Sequence, residues 1–375
     1  MFDVFLITLV IFAFLYILIS KLPYRNIKFV FFIISLILAI IAYNITPYKS
    51  LDLYHHFQIL NNCRAFGFGY LINHSDFSNL PVGALYFYII SLLGNNSFLP
   101  AISVFIYYYS ILSIITEVAK KYNFNKSGLW LSAVLFLFVS NYIGAASGIR
   151  NPLTISLFAY IFYKECFFGW NKKLVFILYI LLCLFHPSIL ILLVLRLLLL
   201  IPKKYSKIIS ILLLSWSFLK NILITLLTKL SSIPIISFAL EKFSGYDSTE
   251  ANAVANVSLY TFVYLTSYII LLILCFVYYK RGNNTFEKHE NKFNLLFVYT
   301  LFFCLGSILE YHIFVRFSRF AIMLALFLLM HYSSSKSKNL NYSKNKLIIQ
   351  FIIFIESVFF LYFYMNGQYL SIVFS

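Results

Sequence analysis

Ala145-Ala-Ser-Gly-Ile-Arg-Asn-Pro152 separates two apolar stretches, about 128–145 and 151–166, each close to the length that crosses a bilayer as a helix. Cations at membrane-helix ends ordinarily mark topology. Arg150 falls on the side where the rest of the charge pattern leaves cations scarce. How this segment is read decides the fold and locates the chemistry.

Apolar runs of similar length recur along the 375 residues, of which 62% are hydrophobic and 11% charged. About twenty apolar residues in succession span a bilayer, and only helices and closed barrels satisfy the backbone there. The alternating ten-residue segments of a barrel are absent. The expected class is an all-α, polytopic integral membrane protein: one transmembrane domain over 1–375, with about 11–12 transmembrane helices. The first run, 2–20, has no basic residue ahead of it and is followed by Lys21, so it reads as a retained helix rather than a cleaved signal. The five cysteines show no metal spacing, and no disulfide is expected.

A net charge of +17 would point to nucleic acid in a soluble protein. Here the cations are sorted by position, so no nucleic-acid partner is expected. Six short basic loops hold 20 of the 29 Lys and Arg: 21–28, 120–126, 164–173, 203–207, 280–292 and 336–346. The positive-inside rule puts all six in the cytoplasm. Parity then fixes the rest. Helices 2–20 and 27–45 lead to an external segment over 46–97. Within it, 80–94 reads as an interfacial or re-entrant helix, because a second crossing beside 98–117 would put Lys120 and Lys121 outside. The stretch 173–201 becomes a hairpin broken at His186-Pro187-Ser188. Helix 207–228, an external segment at 229–257, and helices 258–279, 293–310, 313–334 and 346–364 follow.

Some cations stay outside or embedded. Arg150, Arg316 and Arg319 cap hairpins that face one way. Guanidinium groups offer paired donors to phosphate and keep their charge when partly desolvated. The plain alternative is that each snorkels to lipid headgroups. His186 either caps helix carbonyls or serves chemistry as a proton acceptor or phosphate donor. Asp52, in Asp52-Leu-Tyr-His-His56, is a solvated loop acid or a base for an acceptor hydroxyl. The adjacent histidines diverge and find no further ligands, so neither metal nor cofactor is expected. Glu310 and His312 offer local partners for Arg316 or Arg319. No glycine-rich phosphate loop appears, so a donor substrate would have to be a membrane lipid.

Ser147-Gly-Ile-Arg-Asn-Pro-Leu-Thr-Ile-Ser-Leu-Phe158, followed by Leu182-Cys-Leu-Phe-His-Pro-Ser-Ile-Leu190, resembles the EpsG/Wzy-like polysaccharide polymerases. Asp52-Leu-Tyr54 and Arg316 to Phe320 extend the likeness to about 50–330. Two departures stand out: Asn151 where that family commonly has Gln, and Pro187 after the histidine. The resemblance implies a membrane glycosyltransferase with a GT-C-like fold. It would join undecaprenyl-diphosphate-linked repeat units into O-antigen, capsule or exopolysaccharide. The site would face outward from a bacterial cytoplasmic membrane, with membrane lipids and a chain-length regulator as further partners. On that reading Arg150, Arg316 and Arg319 bind the diphosphate, with Arg150 also catalytic, and Asp52 or His186 orients or deprotonates the acceptor hydroxyl. Rival classes are a lipid-linked oligosaccharide flippase, a glycosyltransferase using polyprenyl-phosphate sugars, and a membrane acyltransferase.

Overall fold

The computed structural model describes residues 2–49, 51–74, 76–77, 79–229, 232, 240, 266, 268–274, 276–277, 288–334, 348, 351–352, 355–356 and 358–359. Among them every regular element is helical. The expected external segment 229–257 and the helices at 258–279 and 346–364 lie wholly or largely outside the described residues. The chain divides into two compact units, 1–190 with 323–375, and 191–322.

The first unit contains α1 (Phe2–Lys21), α2 (Tyr24–Tyr43), α3 (Asp52–Phe66), α4 (Phe68–Asn73), α5 (Pro81–Ser91), α6 (Phe98–Lys121), α7 (Lys126–Val139), α8 (Tyr142–Ser147), α9 (Arg150–Phe168) and α10 (Lys172–Cys183). Of these, α2 and α6 are long and apolar enough to cross a membrane. Local chemistry sets several starts. Asn125, Asn141 and Asn171 cap α7, α8 and α10 by accepting from Ser127, Gly144 and Lys173 N–H groups. Pro81 opens α5, where its missing N–H costs nothing.

α6 is the hub, packing on α2, α7, α8 and α9. α2 buries Ile27, Phe31, Ser35, Ala39 and Ala42, a stripe at helical spacing. Its other face exposes Phe29, Ile33, Leu36, Ile37 and Ile40, and α10 likewise exposes Leu174, Phe176, Ile177 and Leu181. Continuous apolar faces of this kind have no place in water and suit lipid. α5 spans only 11 residues, too few to cross a bilayer. It buries Gly83, Ala84, Phe87 and Ile90 while exposing Leu85 and Ile89.

Two details depart from the sequence reading. The stretch 46–79 is folded: α3 and α4 pack on α5 and bury Leu53, Leu60 and Leu71 completely. The expected helix 128–145 breaks at Ser140-Asn141 into α7 and α8, because Asn141 turns its side chain to cap a new start.

The second unit holds most of α11 (Ile189–Leu197), α12 (Ser206–Leu214), α13 (Trp216–Thr228), α14 (Lys288–Gly306) and the first half of α15 (Tyr311–Ser334). The expected crossing 207–228 is interrupted at Ser215. α12 approaches α14 so closely that a Cβ on Gly306 would collide with Leu213 O. Only glycine permits this contact, a common device of membrane helix packing. Glu310 is buried and accepts from Trp216 Nε1 at 3.4 Å, with Lys220 Nζ 3.7 Å away. The last half of α15 belongs to the first unit, where Tyr163 Oη and Ser132 Oγ donate to the carbonyls of Met323 and Leu326. α15, from His312, is the third helix among the described residues that is long and apolar enough to span.

Candidate active site

Arg150 is the first residue of α9, one position ahead of the expected start at 151. The preceding Ile149 is fully buried at φ 23°, a conformation that β-branched residues avoid. Strain of this sort persists only where the surroundings enforce it, and here it aims Arg150 back toward α3 and the turn before α5. Arg150 Nη1 donates to the carbonyl of Asp76 at 3.0 Å, and Nη2 lies 3.7 Å from its carboxylate. The guanidinium also stacks 4.9 Å from the centroid of the Phe77 ring.

Asp76 has a second partner: His55 Nε2 is 3.1 Å from the same carboxylate oxygen, Oδ2. Burial alone would raise the Asp76 pKa, but Arg150, then His55 and His74, hold it below the usual carboxylate range. An ionised carboxylate only accepts, so a neutral His55 would carry its proton on Nε2 and keep Nδ1 as a proton acceptor. His74 adds a further imidazole, its ring centroid 6.0 Å from that of His55 and its Nδ1 accepting from Asp76 N–H. Next along α3, His56 is 4% exposed and packs edge-on to Phe87 at 5.3 Å. Burial, reinforced by the nearby Arg150 and His55, lowers its pKa to about 3. It is a neutral ring at physiological pH, and its buried Nδ1 accepts no hydrogen bond among the described residues.

The turn carrying His186 joins this group. Asn151 Nδ2 donates to Ser188 Oγ at 2.8 Å, and that hydroxyl lies 2.7 Å from His186 Nδ1. Ser188 N–H points at the same Nδ1, 3.3 Å away. With both donors on Nδ1, a neutral His186 carries its proton on Nε2 and presents an N–H rather than a base. The turn is locked from α5 as well. Gly83 N–H donates to Leu184 O, and a Cβ at Gly83 would lie 2.9 Å from Phe185 O.

The predicted site residues therefore divide into groups. Arg150 and His186 come together through the Asn151–Ser188 contact. Asp52 is the exposed first residue of α3, one turn ahead of His55, where its charge favours the helix start. The carboxylate that meets Arg150 is Asp76, which sequence reasoning missed. Its signal was the clustering of His74, Asp76 and Phe77 just before the Pro81 helix start. Arg316 and Arg319 belong to the second unit. They lie within α15 rather than in the turn before it, one and two turns from its start, and share one face at a spacing of three residues. Glu310, a candidate partner for them, is engaged by Trp216 and Lys220. Among the described residues no three of His, Cys, Asp and Glu are placed to hold a metal. Cys63, Cys166, Cys183 and Cys304 are free thiols, and Cys275 lies outside the described residues.

No curated protein and no solved structure matches the chain. The model of the EpsG family matches residues 53–373, beginning one residue after Asp52 and covering both arginine segments and His186. The chain thus belongs to the EpsG family.

Proposed function

We propose that this protein is an oligosaccharide repeat-unit polymerase acting on undecaprenyl-diphosphate-linked glycans at the outer face of the cytoplasmic membrane. Membership of the EpsG family supports a polysaccharide-polymerase-like membrane protein. The finer reading rests on one observation: the Arg150 guanidinium stands beside an Asp76–His55 pair, at a site built from α3, α5, α9 and the His186 turn.

The chemistry follows from those groups. An acceptor hydroxyl oxygen attacks the anomeric carbon of the donor chain, and its proton passes to His55 Nδ1. The bond from the anomeric carbon to the diphosphate oxygen breaks, and its electron pair leaves with undecaprenyl diphosphate. Asp76 stabilises the imidazolium that forms, as the orienting carboxylate does in an acid–base triad. Arg150 meets the growing phosphate charge, and fixed cations of this kind supply the largest share of such stabilisation. The Nε2–H of His186 is a second donor suited to the same oxygens. In the second unit, Arg316 and Arg319 are proposed as phosphate-binding cations in their own right, on their charge and shared helix face.

A gene deletion distinguishes this reading from export. Loss of a polymerase leaves a single repeat unit on its acceptor. A deletion strain with no repeat unit outside the membrane would assign the chain to transport. Glycan of full length with altered acetylation would make it an acyltransferase.

A further inference from the structure

A second cluster of charge sits at the other end of the first unit. α2 and α6 leave a cavity of about 230 Å³ lined by Tyr24, Arg25, Lys28, Thr116, Glu117 and Lys120. Three cations and one acid give this lining a formal charge of +2. Glu117 is already committed, because Lys28 Nζ and Lys164 Nζ each donate to one of its oxygens at 2.5 Å. The carboxylate pins both ammonium groups in place, and counting Lys164 the cluster reaches +3. Tyr24 Oη and Thr116 Oγ1 are spent on the carbonyls of Phe124 and Leu112. Arg25 and Lys120, both exposed, make no ion pair among the described residues. Two of the lining cations are therefore without a carboxylate partner, beside two whose positions are fixed.

Size limits what such a cavity holds. It is smaller than the roughly 300–1,000 Å³ that encloses a drug-sized molecule, so a single phosphate group fits better than a nucleotide. Depth points the same way. Arg25 and Lys28 open one helix of spanning length and Lys120 closes another, which puts the cavity at the level of phospholipid headgroups. Basic pockets between membrane helices recognise phosphate there.

We infer that this cavity binds a phosphate group, presented by an anionic phospholipid or free in solution. The site is separate from the Arg150 cluster. Lys164 lies fourteen residues along α9 from Arg150, about 21 Å at 1.5 Å per residue, so either site can fail without the other.

The test uses the purified full-length chain in detergent, with binding read by native mass spectrometry. The probes are short-chain phosphatidylglycerol, short-chain phosphatidylcholine and inorganic phosphate. Wild type should bind phosphatidylglycerol over phosphatidylcholine. The double variant R25Q/K120Q should lose roughly tenfold or more of that affinity, the charge-keeping R25K/K120R should retain most of it, and K173Q, a charge deletion away from the cavity, should match wild type. Binding of inorganic phosphate with the same loss in R25Q/K120Q upholds the site and gives it a soluble ligand. Unchanged binding in R25Q/K120Q, or an equal loss in K173Q, overturns the inference.

Discussion

Arg150 and Asp76 meet across 74 residues of chain, and that contact shows what single residues reveal in advance. Arg150 announces itself by charge and position. Asp76 does not, because an acid in a polar stretch is ordinarily solvated and its partner is far away in sequence. Asp76→Asn should keep the carbonyl contact to Arg150 yet lose the ionic partner of His55. We predict a large fall in glycan extension, more than tenfold, with normal membrane accumulation; extension at the wild-type rate would remove the pair from the mechanism. His56 makes a prediction about stability. Its folded pKa, about 3, is below its unfolded value of 6.5, so below pH 6.5 the unfolded state binds the extra proton. Stability from this group is therefore full above pH 6.5 and falls as the pH drops toward 3. Going from about pH 7.5 to about pH 5.5 should cost about 1.4 kcal/mol. The depressed Asp76 acts in the same direction, its contribution fading only as pH falls through its own lowered pKa. Denaturation of His56→Phe across that range should show a shallower slope, and an unchanged slope would contradict the buried neutral ring.

Helix existence was legible wherever an apolar run met a turn signal, and boundaries failed where side chains took over the backbone. Pro81, the Asn151-Pro152 start and the His186-Pro187 break all sit where the sequence puts them. The α7–α8 break does not, because a run of apolar residues conceals a cap made by Asn141. Helices α3 and α4 were hidden for a different reason. Their mixed polar composition reads as loop, and only burial of Leu53, Leu60 and Leu71 against neighbouring elements makes them helical faces. Arg316 and Arg319 fall inside the expected helix 313–334, which starts slightly earlier than expected, the Glu310 carbonyl already accepting from Phe314 N–H. Close approach between elements gives sharp tests. Gly83→Ala would press a methyl group on Phe185 O and should cost about 1–3 kcal/mol, with loss of extension because the His186 turn moves. Gly306→Ala, facing two backbone oxygens in the second unit, should be the more destabilising of the two. Thermal unfolding of both variants checks the order, and a neutral Gly306→Ala would refute the close α12–α14 contact.

On the scale of the whole molecule, charge sorting in the sequence has a counterpart in the first unit. Lys126 Nζ donates to the carbonyls of Ser20 and Leu22, Lys121 to that of Phe167, and Lys28 and Lys164 share Glu117. Three of the six basic loops are thereby gathered, and the Arg150 cluster lies at the far end of α9. With the basic end in the cytoplasm, a cysteine at position 76 should react with an impermeant thiol reagent added outside intact cells, and one at position 173 only after the membrane is opened. The reverse pattern would invert the topology. The central claim is that the Arg150 guanidinium carries the diphosphate of a lipid-linked glycan, and it is tested most directly by glycan length in a deletion strain complemented with Arg150→Ala or Arg150→Lys. Both variants should accumulate in the membrane at wild-type levels and leave single repeat units on the acceptor, because an ammonium cannot reproduce a planar fork. Chains of wild-type length from Arg150→Ala would contradict the account.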